Sequence, residues 1–202
     1  MKLYYSPAAC SMSPHIALRE SGLPFELVQV DLGAKKTLDG QDFLAISPKG
    51  QVPALQLDDG QLITEGPAIV QYIADRVPEK KLVPSAGTLD RYRVQEWLNF
   101  VATELHKNFG LCFKFASIEG LPAALAGAIV ERVRFIAPQL EGRDWLVGNH
   151  FTVADGYLFT ALSWCRFLQI DLAPWPSVTA FMERVAARPA VREVLKIEGL
   201  IQ

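Results

Sequence analysis

The 202-residue chain is 50% apolar and 21% charged, a balance that fits an ordinary folded protein long enough for two domains with separate cores. Its 20 basic and 22 acidic residues create no general field to draw nucleic acid or an anionic membrane, so any functional positive charge must be local. Three widely spaced cysteines, Cys10, Cys112 and Cys165, form no Cys-x-x-Cys pair, which argues against a disulfide framework or a zinc site and for a reducing, cytoplasmic setting.

Met1–Tyr5 is a short apolar run that meets Ser6-Pro7 too soon for a secretory core or a membrane span. Within it, Lys2–Tyr5 predicts a strand, and Ser11–Ser21 a helix stopped by Gly22. Gly22-Leu23-Pro24 is a turn into a second strand at Glu26–Asp31. After a short irregular helix, Ala54–Leu57 and Leu62-Ile63 flank Asp58-Asp59-Gly60, a hairpin signal. Glu65–Arg76 then carries Ile69, Tyr72 and Ile73 at helical spacing. A hairpin after a strand–helix–strand start predicts a mixed sheet of about four strands, the size of a thioredoxin-like α/β unit.

Val77–Gly87, with Pro78, Pro84, Gly87 and no apolar period, reads as a linker, so the expected domains are residues 1–81 and 87–202. From Thr88 onward only helical patterns appear. Leu89–Lys107 predicts a long helix, Pro122–Leu140 an Ala-rich one, and Val153–Leu168 places Val153, Tyr157, Ala161 and Cys165 on one face. Val178, Phe181 and Val185 mark a further amphipathic helix, and no strand pattern is present in this half.

Three places in the first half can carry chemistry. Cys10 lies at or just before the helix opened by Ser11-Met12-Ser13-Pro14, where unpaired N–H groups and the helix dipole favour a thiolate; a small buried residue at a packing point is the alternative. In Gly50-Gln51-Val52-Pro53-Ala54-Leu55 a proline opens a strand. A cis Val52–Pro53 bond would turn the Val52 backbone outward toward an extended peptide, whereas a plain loop proline would not. Thr64-Glu65-Gly66-Pro67 heads the third helix, where a first turn can receive a carboxylate and Glu65 an ammonium group; together these describe an amino-acid head group. Glu65 can equally be an acid that complements the helix dipole.

These residues, in this order and ahead of an all-helical half, resemble the glutathione transferases, most nearly the bacterial beta class. Gly148-Asn149-His150-Phe151-Thr152-Val153-Ala154-Asp155 resembles the family's helix-capping signature, with Thr152 and Asp155 at capping-box spacing. The resemblance spans nearly the whole chain. It implies a thioredoxin-like N-terminal domain, an all-α C-terminal domain and a homodimer. It also implies an enzyme that uses glutathione as co-substrate, with no cofactor or metal and no nucleic-acid or membrane partner.

By the same resemblance Cys10 lies beside the glutathione sulfur, Val52 pairs with the cysteinyl backbone across cis Pro53, and Lys35 reaches the glycine carboxylate. Glu65 and Gly66 hold the γ-glutamyl head group, and Asn99, Thr103, Glu104, Leu105 and His106 line the same site, part of that stretch reaching across a dimer interface. The family usually has Ser where this chain has Gly66, which removes a hydroxyl but leaves the helix N–H. Cys10 and His106 are the expected sulfur environment, with Tyr5 and Ser11 near in sequence; Phe109, Phe113 and Trp164 are the expected apolar cleft for a small hydrophobic electrophile. Two other activities suit these residues: a thiol–disulfide oxidoreductase with Cys10 as nucleophile, and a binding protein that keeps the fold without the chemistry.

Overall fold

The computed structural model describes residues 1–202 and divides them into two compact units, Met1–Leu82 with Pro189–Gln202, and Val83–Arg188. The first unit is built from β1 (Lys2–Tyr5), α1 (Met12–Ser21), β2 (Glu26–Asp31), β3 (Lys36–Thr37), α2 (Phe43–Ile46), β4 (Ala54–Gln56), β5 (Leu62–Thr64) and α3 (Gly66–Asp75), with α9 (Pro189–Ile197). One sheet in the order β3-β2-β1-β4-β5 joins the strands. β1 and β2 run parallel with Leu3 opposite Leu27, and the other neighbours are antiparallel. The sheet is therefore mixed and has five strands, one more than the sequence pattern suggests, because β3 is a two-residue edge strand with no period of its own.

Alternation along β1 sends side chains to both sheet faces. Tyr4 meets Phe43 of α2 at 5.6 Å between ring centroids, and Tyr5 meets His15 of α1 at 6.0 Å. Tyr4, Val30, Phe43, Val52 and Ala54 form one cluster of the core. α1 packs against both α3 and α9. It ends where Gly22, at φ +73°, turns left-handed and its N–H closes on the Leu18 carbonyl, a conformation that glycine adopts without steric cost.

The placement of α9 differs from the domain boundary expected from sequence, which kept everything after residue 87 together. Val191, Val194 and Leu195 of α9 are buried in the first unit. An amphipathic helix carries a stripe to bury but no label for the core that will bury it.

The second unit holds α4 (Leu89–Phe100), α5 (Lys107–Lys114), α6 (Leu121–Leu140), α7 (Val153–Ser163) and α8 (Pro176–Ala186). α7 is buried from Val153 through Leu162, as befits an element surrounded by others. Its start is held by Asp155, whose carboxylate accepts the Thr152 N–H, the Thr152 hydroxyl and the Leu146 N–H at 2.8–2.9 Å. The helix expected over Leu89–Lys107 is not uniform: Val101–His106 forms a wide π-helical turn between α4 and α5. Such a turn inserts a residue into the helical register, and it often marks a functional segment.

Candidate functional site

In the first unit the Ser6–Cys10 loop leads from β1 into α1. Ser11 does not cap the helix. Its hydroxyl accepts the Ser6 N–H at 3.1 Å and donates to the Ser6 carbonyl at 3.2 Å, closing the loop on itself. Ala8 sits in the left-handed region at φ +60°, and its N–H donates to Glu198 at 2.9 Å. The other Glu198 oxygen lies 2.9 Å from His15 Nδ1, and both side chains are fully buried. The segment after α9 thus ties down the loop that presents Cys10.

The Cys10 thiol donates to the Val52 carbonyl at 3.1 Å, and the Val52–Pro53 bond is cis. Burial pushes the thiol up to about 11; backbone N–H groups at Cys10 and Ser11 pull the other way and lose, while the Glu65 charge adds to the rise. This corrects the expectation of a thiolate favoured by the helix start. Desolvation outweighs the dipole, and at neutral pH the Cys10 sulfur is a protonated hydrogen-bond donor.

Glu65 precedes α3 at φ +71°, a conformation that costs a non-glycine residue about 1–3 kcal/mol and is held here by the Ala68 and Ile69 N–H groups on its carbonyl. Its carboxylate is exposed and paired with Lys49, whose ammonium also donates to the Thr64 hydroxyl at 3.2 Å. A Cβ on Gly66 would meet no atom within 4 Å, so the missing side chain at this position reflects no lack of space. Lys35 donates to the Gly50 carbonyl at 2.9 Å, close in sequence to the cis-proline turn. The thiol of Cys10 is bonded to Val52, Lys35 to Gly50 two residues before it, and Glu65 to Lys49, which places these residues at the end of the sheet where β1 stops and β4 starts.

In the second unit the π-helical turn sorts the expected residues. Asn99 and Thr103 are exposed, with the Thr103 hydroxyl bonded back to the Asn99 carbonyl at 3.1 Å. Glu104 pairs with Arg132 at 2.7 Å. Leu105 is fully buried, so its side chain belongs to the core. His106 turns inward, its Nδ1 at 2.7 Å from the Tyr157 hydroxyl and its ring 5.1 Å from that of Trp164. Asn99 and Thr103 thus face outward while His106 faces Tyr157 and Trp164.

The expected aromatics do assemble. Phe109 meets Trp164 edge-on at 5.6 Å and stacks on Phe113 at 6.3 Å, while Phe113 also meets Phe167 at 6.4 Å. Phe109 and Trp164 are buried and Phe113 is 45% exposed, so Phe113 is the one ring of the three open to solvent, with the other two packed against it. Sequence reasoning missed Lys49, His15, Glu198 and Tyr157. Lys49 stands three residues before Val52, and that proximity was the one available signal; the rest are brought in by tertiary contacts.

Residues 8–76 match the glutathione S-transferase N-terminal domain and residues 107–189 the glutathione S-transferase C-terminal domain. The chain is 46% identical over 200 residues to glutathione S-transferase GstA of Escherichia coli O157:H7, covering 99% of this chain and all of that one. The chain belongs to the glutathione S-transferase family. Among solved structures of this family it is similar to a ternary complex of BphK, a bacterial glutathione S-transferase, at 55% identity and a TM-score of 0.96, covering 98% of this chain and 100% of that one. A beta-class glutathione S-transferase of Sphingomonas chungbukensis is 44% identical with a TM-score of 0.96 over the full length of both chains. These likenesses span both halves of the glutathione S-transferase fold. The chain contains no cluster of His, Cys, Asp or Glu able to hold a metal ion, and no helix long and apolar enough to cross a membrane.

Proposed function

We propose that this protein conjugates glutathione, through its thiolate, to small hydrophobic electrophiles. The observation that carries the reading is the Cys10 thiol on the Val52 carbonyl beside cis Pro53. A half-buried thiol raised to about 11 is a poor nucleophile at neutral pH, so in this reading the reacting sulfur comes from the ligand. In this reading the second lone pair of the Val52 carbonyl accepts the cysteinyl N–H of the bound peptide, in the manner of strand addition.

In this reading Val52 holds the cysteinyl backbone, Lys35 the glycine carboxylate, and Glu65 with Gly66 the γ-glutamyl head group. Asn99, Thr103, Glu104, Leu105 and His106 line the site as the resemblance implies, part of that stretch through a second copy of the chain. His106, fixed by Tyr157 and Trp164, contributes to the sulfur environment. The exposed ring of Phe113, backed by Phe109 and Trp164, receives the electrophile. Exposed Leu89, Tyr92 and Phe135 in the helical unit support a homodimer, and three free cysteines support a cytoplasmic location.

Two measurements test this. Calorimetric titration should detect glutathione binding, and an aryl halide should be conjugated. Cys10→Ala should then keep most of the conjugation rate, because the thiol it removes is protonated. Loss of nearly all turnover in Cys10→Ala, together with efficient reduction of mixed disulfides by the wild type, would transfer the assignment to an oxidoreductase. No glutathione binding at millimolar concentration would leave a binding protein with this fold.

A further inference from the structure

The ion pair between Lys49 and Glu65 has a use that the family resemblance does not supply. The Lys49 ammonium rests on the Glu65 carboxylate and on the Thr64 hydroxyl, at the mouth of the turn that opens α3. Both side chains are more than half exposed, 52% for Lys49 and 70% for Glu65. A pair so exposed is worth little and opens readily. Its two charges are the complement of an amino-acid head group, which carries an ammonium and a carboxylate on one carbon. An entering zwitterion can replace each partner of the pair with the opposite charge of the ligand, with no net change in charge.

Position 66 gives this exchange a reason. Gly66, the first residue of α3, offers a head-group carboxylate no side chain and has open space beside it. A carboxylate held by a helix first turn alone would lack a side-chain partner, and Lys49 is the cation already paired with the neighbouring residue. A flexible four-carbon stem lets its ammonium swing from Glu65 to an anion a few ångströms away.

We propose that Lys49 is a recognition residue for the α-carboxylate of the γ-glutamyl head group, and that the Lys49–Glu65 pair is the ligand-free form of that subsite. The proposal rests on the glutathione reading. On binding, the ligand ammonium takes Glu65 and the ligand carboxylate takes Lys49. Specificity for a free α-amino acid head group over a simple acyl chain then resides in this pair.

The test uses calorimetry on wild-type protein, Lys49→Met and Lys49→Arg, with glutathione and with 4-aminobutanoyl-Cys-Gly, which is glutathione without the α-carboxylate. Lys49→Met should weaken glutathione binding by about tenfold or more, the loss of one charge-assisted hydrogen bond. The same substitution should leave 4-aminobutanoyl-Cys-Gly unweakened or bound more tightly, because the competing ammonium is gone. Lys49→Arg should restore most of the preference for glutathione. Equal or tighter glutathione binding by Lys49→Met, with the preference for the α-carboxylate intact, would overturn the proposal and leave Lys49 as a mere competitor. Failure of the wild type to bind glutathione at all would instead overturn the underlying reading, and the proposal with it.

Discussion

Replacing Gly66 by Ser puts back a hydroxyl at the first residue of α3, and the structure sets how much that should matter. An added Cβ meets nothing within 4 Å, and Gly66 does not occupy the left-handed region, so serine enters without clash or backbone strain. A hydrogen bond to a charged group contributes about 1.5–3 kcal/mol. Gly66 is half-buried, so water competes for the carboxylate and the lower end applies, about 1.5 kcal/mol or roughly a tenfold gain in glutathione affinity. Helix propensity adds a small stabilising increment, well under 1 kcal/mol, in the melting curve. Calorimetric titration of wild type and Gly66→Ser at one pH and ionic strength measures the difference. A control ligand without the α-carboxylate should show no gain. Unchanged or weaker glutathione binding by a variant that melts at or above the wild-type temperature would refute the placement of the carboxylate at this turn.

Two further outcomes follow from buried groups. Glu198→Ala removes the carboxylate from the fully buried His15 ring and from the part-buried Ala8 N–H, which should cost about 1–3 kcal/mol, set by the buried ring nitrogen left unpaired; each kcal/mol should lower Tm by roughly 2–4 °C in thermal melts, and an unchanged Tm would mean that the tail does not hold the loop. Asp155 is raised by burial to about 6, above the 3.8 of a free aspartate. The folded state therefore keeps a proton that the unfolded chain releases. Asp155's contribution to stability is full below about pH 3.8 and falls as pH rises through about 6. Denaturant unfolding of wild type and Asp155→Asn should show that decline in their difference, and a flat or rising difference would contradict it.

Much of the first unit was legible because its signals are local. A strand running into a helix placed Cys10, a Val-Pro before a hairpin placed the turn into β4, and a Thr-Glu pair before an apolar helical stripe placed the head of α3. What escaped depends on contacts that sequence spacing does not encode. β3 is two residues long and exists only because Val30 and Asp31 offer it an edge. The π-helical turn leaves the sequence pattern helical while rotating His106 away from Thr103. The state of the Cys10 thiol turned on the surroundings that desolvate it, which the nearest residues in sequence do not reveal. Lys49 was passed over because its partner Glu65 lies across the hairpin.

The discontinuous make-up of the first unit has a consequence for how the protein is made. A ribosome releases Met1–Leu82 early, yet Glu198 and the buried face of α9 emerge only after the entire helical unit has been translated. Until then α1 lacks one of its two packing neighbours, and the Ala8 N–H lacks the carboxylate that ties it down. The helical unit is contiguous from Val83 to Arg188 and can close as soon as it is out. The first unit therefore cannot be complete before the second has been synthesised, in contrast to the usual N-terminal-first order. The loop that presents Cys10 gains its tie to Glu198 only once that residue has been made.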